Sequence, residues 1–252
     1  MERPHYVHKE IGMNQKVRML GLLAAIAVSS SSIGAVVDTD MPLKVSWNGS
    51  PPTPDSRTWV NVLFRDFSGA DPLGNFEWIR NTVELQITTD SLTHGKQAQV
   101  VGHGSLLSGE DVKSLWLKFN PKKDISKLKI YWTGASMAPG VPTNADTFPD
   151  AGLQPSDISL GANFDKAGAD GHFDIKLEWK DGANKLGPAD PDHSFSKLLL
   201  VYDDGKSNID ASDFFFGSAP DKGSKFGPFD AVAHIRNIPT TSEDSGWIAA
   251  VP

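Results

Sequence analysis

The sequence predicts an all-β protein: an antiparallel, jelly-roll-like β-sandwich forming a single domain behind an export signal. Three observations carry this expectation. From residue 43 onward, short runs alternate apolar and polar side chains, the period-two pattern of half-buried strands. Between them stand clusters of Gly, Pro, Asn and Asp, which supply the positive or fixed φ angles of turns. No window of fifteen residues in that region keeps apolar spacing at i, i+3, i+4 and i+7. Without crossover helices a parallel sheet cannot form, so a sandwich remains.

Strands are expected at "LKVSW" (43–47), "TWVNVLF" (58–64), "TVELQITT" (82–89), "QAQVVG" (97–102), "SLWLKFN" (114–120) and "KLKIYW" (127–132). The series continues with "HFDIKLEW" (172–179), "FSKLLLVY" (195–202), "DFFFG" (213–217), "DAVAHIRNI" (230–238) and "GWIAA" (246–250). Along 172–179 the alternation places Phe173, Ile175, Leu177 and Trp179 on one face. The longest irregular stretch, 133–157, is expected to be a long loop within the domain, of the kind that is functional or mobile.

The first 35 residues read as a secretory signal peptide. Lys16 and Arg18 precede the apolar run "MLGLLAAIAV" (19–28), and small residues follow toward Gly34 and Ala35. That run is too short to span a bilayer. Met13 is an alternative start, and the β-sandwich domain then covers 36–252. Removing residues 1–35 leaves 20 basic against 29 acidic side chains, a formal charge of −9. Such a balance argues against nucleic acid and anionic lipid as partners. The chain has no cysteine, so neither disulfides nor thiolate zinc sites contribute.

No catalytic motif emerges. The nearest text to a nucleophile elbow, "GHGSLLSG" (102–109), has the wrong spacing. His94, His103, His172, His193 and His234 show no metal-binding spacing, and the many acids single out no facing pair for glycoside hydrolysis. Calcium is the candidate cofactor, because hard cations take oxygen ligands from loops dense in Asp and Asn. "NFDKAGADGHFD" offers Asn163, Asp165, Asp170 and Asp174 as metal ligands, without matching an EF-hand loop. The same residues also read as a hairpin turn at Asp170-Gly171 leading into a strand. Trp116, Trp132 and Trp179 fall inside alternating runs and are expected in the core. Trp59, Trp78 and Trp247 lie near element ends and are the candidate glycan-binding residues.

Four stretches occur in an order that resembles a known group: "SLWLKFNP" (114–121), "NFDKAGADGHFDIKLEW" (163–179), "ASDFFFGSAP" (211–220) and "GPFDAVAHIRNIPTTSEDSGWIAA" (227–250). Over residues 100–252 the chain resembles the ectodomains of PEP-CTERM, or exosortase-sorted, bacterial surface proteins. Asn163, Phe164, Asp170, Gly171, Phe173 and Asp174 match that group's middle motif, while Gly168-Ala169 replaces its first Asp-Gly. Members continue past the position of Val251-Pro252 into a sorting signal, so membrane anchoring is expected only if such a tail follows.

The resemblance implies a non-catalytic exported protein of the cell surface, outer envelope or extracellular space of a Gram-negative bacterium. Such a protein is linked to exopolysaccharide and biofilm, with polysaccharide or other matrix components as partners. The alternatives are a secreted glycan-active hydrolase or lyase on a jelly-roll scaffold, and a free carbohydrate-binding module.

Overall fold

A computed structural model describes residues 37–47, 53–54, 57–66, 81–89, 104–131, 155–167, 171–182, 185–188, 193–219, 227–238 and 244–251. All belong to the compact unit Gly34–Pro252. The expected signal peptide, the expected strand 97–102, Trp78 and Asp170 lie outside the described residues, as does the 133–157 loop except for residues 155–157.

The described residues form twelve strands: β1 (Val37–Leu43), β2 (Val45–Trp47), β3 (Thr53–Pro54), β4 (Val60–Asp66), β5 (Thr82–Thr88) and β6 (Asp111–Leu117), then β7 (Leu128–Tyr131), β8 (Asp157–Lys166), β9 (His172–Glu178), β10 (Phe195–Tyr202), β11 (Ala231–Arg236) and β12 (Ser245–Ala250). They build two antiparallel sheets in the orders β1-β4-β5-β10-β7 and β3-β2-β12-β11-β6-β9-β8. The protein is an all-β antiparallel sandwich, and its chain changes sheet repeatedly along its length.

Alternation decides what fills the space between the sheets. Val60, Val62 and Phe64 of β4, Val83, Leu85 and Ile87 of β5, and Leu198 and Leu200 of β10 face Leu115 and Leu117 of β6, Ile175 and Leu177 of β9, and Ile248 of β12 in one cluster. Trp179 belongs to it as well, as its alternation predicts, but Phe173, expected on the same face, instead joins a second cluster with Trp116, Ala167, Phe229, Val232 and Ala249. At one end Phe64 stacks on Phe214, with centroids 4.8 Å apart. Phe119 bridges Phe214 and Tyr202 at 5.4 and 6.0 Å.

Two local expectations are corrected. Residues 213–217 are not a strand: Ala211–Phe214 form a 3-10 turn. Asp210 accepts from the Ser212 N–H, and Asp213 accepts from the Asp210 N–H, so reciprocal caps curl the chain before its aromatic run can extend. Asn163–Lys166, read as part of a loop, instead complete the edge strand β8. An edge strand pairs on one side only, and β8 carries a bulge between Leu160 and Asp165 with Asn163 at φ 50°. Both features mask strand periodicity.

In the five-stranded sheet, β5 and β10 are buried on their outer face as well. The alternation of "TVELQIT" predicts that Thr82, Glu84, Gln86 and Thr88 face water, yet Glu84 is 3% exposed and every residue of β5 and β10 is buried. Glu84 sits between Arg65 at 3.5 Å and Lys197 at 3.7 Å, and accepts a hydrogen bond from Gln86 at 2.5 Å. A charge removed from water needs such compensation.

Candidate functional site

The outer face of the seven-stranded sheet carries a group of aromatic and charged strand residues. Register arranges them in rows across the strands, because directly opposed residues share a face. The first row places Trp247 of β12, His234 of β11, Ser114 of β6, Glu178 of β9 and Asp157 of β8 side by side. The second places Ala249, Val232, Trp116, Lys176 and Ser159. Beyond the end of β6 a third begins with Asp230, Lys118 and Asp174; the Lys118 N–H donates to the Asp230 carbonyl, and Lys118 pairs with Asp174.

The first two rows form an aromatic patch with a charged rim. The rings of His234 and Trp247 are parallel, 4.6 Å apart and 14° from coplanar. Trp116 lies 5.3 Å from Trp247 at a tilt of 42°. Its indole N–H donates to Asp165 at 3.2 Å, and the Lys176 ammonium lies 5.5 Å from its ring centroid. Lys176 in turn reaches Asp165 at 3.5 Å and Glu178 at 3.1 Å. Trp116 is buried, whereas Trp247, His234, Lys176, Glu178 and Asp165 keep part of their surface open. Aromatic surface joined to a few fixed polar groups is the usual make-up of a ligand site.

Burial, and then the charge of Lys113, hold His234 below the ordinary imidazole value of 6.5. The folded chain therefore binds this proton less readily than the unfolded chain. Stability is full above 6.5 and declines as pH falls through that value toward the depressed folded one. Replacing His234 by Phe is expected to flatten this loss, as read by chemical denaturation at pH about 7.5 and about 5.5.

The third row is drier. Asp174 is 5% exposed and uses both oxygens. Oδ1 accepts from Lys118 Nζ at 2.8 Å and the Asn163 N–H at 2.6 Å; Oδ2 accepts from the Phe119 N–H at 3.0 Å. Lys118 Nζ also donates to Asn163 Oδ1 at 2.5 Å. On the other side of Lys118, Asp230 lines a cavity of about 370 Å³ with Met41, Pro42, Val45 and Phe215.

Of the four expected metal ligands, Asn163 and Asp174 come together, with the Lys118 ammonium between them. Asp165 faces Trp116 and Lys176 instead, and Asp170 lies outside the described residues. A calcium ion drawing on Asn163 and Asp174 would have to displace that ammonium. Gly171, at φ 114°, leads into β9, and a Cβ there would fall 2.6 Å from Ser218 Oγ, so the turn into the strand requires glycine.

Among the expected glycan-binding residues, Trp247 is the one on this patch. Trp59 packs against the main core with the Arg57 guanidinium 3.8 Å from its ring centroid, and Trp78 lies outside the described residues. His234, Lys176, Glu178 and Lys118 were not foreseen as members of a site. The available signal was the alternation in "SLWLK", which puts Ser114, Trp116 and Lys118 on the face opposite Leu115 and Leu117. Searches against protein-family models, curated proteins and solved structures return no match to this chain.

Proposed function

We propose that the chain is a non-catalytic exported protein of the cell surface or extracellular matrix that binds polysaccharide on the outer face of its seven-stranded sheet. The observation that carries this reading is the partly open Trp247–His234 pair beside Trp116, rimmed by Lys176, Glu178 and Asp165. Aromatic surface offers a sugar ring apolar contact, and the rim offers hydroxyl partners of both signs. Export rests on the charged, apolar, then small-residue order of residues 16–35. The excess of acidic side chains keeps such a protein soluble among anionic matrix polymers.

The test is affinity electrophoresis through gels containing neutral or acidic polysaccharides. Native protein is expected to be retarded by at least one of them. Trp247→Ala should weaken that retention about tenfold or more, equivalent to about 1.4 kcal/mol. Retention unchanged by Trp247→Ala would move binding off this face, and the release of reducing ends from a retaining polysaccharide would favour a hydrolase.

A further inference from the structure

We infer that Lys118 and Asn163 are joined by an intramolecular amide bond, formed by the protein itself with Asp174 as general base. The inference stands on geometry independent of the glycan-binding reading. Three groups needed for amide exchange meet at one point: a primary amine, a carboxamide and a carboxylate that touches the amine. Lys118 Nζ lies 2.5 Å from Asn163 Oδ1 and 2.8 Å from Asp174 Oδ1, and Cγ is one bond beyond Asn163 Oδ1.

The backbone holds these groups in place. Asn163 sits at φ 50° in the bulge of β8, and its own N–H is clamped to Asp174 at 2.6 Å. Asp174 is fixed from the other side by the Phe119 N–H. Lys118 and Asp174 are each 5% exposed, while Asn163 is exposed. The nucleophile and base are thus shielded from water, and the leaving group has a way out. Such positioning replaces a bimolecular encounter with a pre-arranged one.

The step balances without an outside reagent. Asp174 takes a proton from the Lys118 ammonium, and the freed lone pair forms the Nζ–Cγ bond as the carbonyl pair moves onto Oδ1. A second Nζ proton passes to the carboxamide nitrogen. The carbonyl re-forms, the bond from Cγ to that nitrogen breaks, and ammonia leaves. Asp174 returns its proton to the ammonia, so ammonium and carboxamide become an amide and an ammonium ion. Because β9 lies between β6 and β8, the bond straps the edge strand across its neighbour.

The experiment is peptide mapping of the purified, denatured full chain, with intact mass measured in parallel. The expected result is a branched tryptic peptide joining the segments that contain residues 118 and 163, with no cleavage after Lys118. The chain should be lighter by one ammonia than its sequence requires. Lys118→Arg and Asn163→Ala should each restore linear peptides and full mass, and Asp174→Asn should lose most of the branched product. Circular dichroism checks that each variant folds, and the native map decides the question even if none does. Linear peptides with cleavage after Lys118 in the native protein overturn the inference. So does an ammonia loss that survives Lys118→Arg, which would mark a succinimide at Asn163.

Discussion

Phe64→Ala is expected to destabilise the sandwich by about 4 kcal/mol and to lower its unfolding midpoint by roughly 8–16 °C. Phe64 is completely buried. It stacks on Phe214 and meets Phe215 edge-on, with centroids 5.6 Å apart. Truncation removes transfer energy and ring contacts together. It also leaves a hole that the capped 3-10 turn under Phe214 cannot easily close. Phe64→Leu, which keeps most of the volume, should cost less than half as much. Differential scanning calorimetry on both variants checks the order; equal losses would mean that this end of the core relaxes freely.

Asp111→Ala is expected to cost about 3 kcal/mol, toward the lower end for breaking a buried ion pair, and roughly 6–12 °C in midpoint. Asp111 is 1% exposed at the start of β6. Its Oδ2 accepts from Arg236 Nε at 2.8 Å and from Arg236 Nη2, and its Oδ1 accepts from Asn237 Nδ2 at 2.6 Å. Removing the carboxylate strands two sets of donors and unpins Asn237, which holds a left-handed φ of 58°. Arg236 also pairs with Asp181, which keeps the guanidinium from being wholly abandoned. Denaturant titration should show the loss in midpoint with little change in slope. A loss below about 1 kcal/mol would put this contact among surface ion pairs.

Where one face of a strand is buried, the sequence reveals the strand. β4, β9, β11 and β12 were legible because apolar residues recur at every second position and turn residues bound them. β8 was not, because its polar edge and its bulge at Asn163 break the period. Ala211–Phe214 misled because β propensity in "DFFFG" is a weaker influence than two aspartate caps at the right spacing. The candidate patch was half legible. Trp247 could be suspected from its residue type and place, but its neighbours depend on pairing β12 with β11 and β6 with β9. That pairing joins Trp116 to Lys176 across sixty positions of chain, and no local pattern encodes it. The contact between Lys118 and Asn163 is hidden for the same reason.

The burial of β5 and β10 on both faces fixes the order in which the molecule can open. Their backbone N–H groups stand between other strands and beneath side chains on either side, so fraying from an edge reaches them last. Deuterium should enter β3, β7 and the bulge of β8 through small local openings. In β5 and β10 it should enter only when the whole unit unfolds. The slowest-exchanging amides of these two strands therefore report the global stability of the sandwich, and Glu84, with Arg65 and Lys197 around it, meets water only in that event.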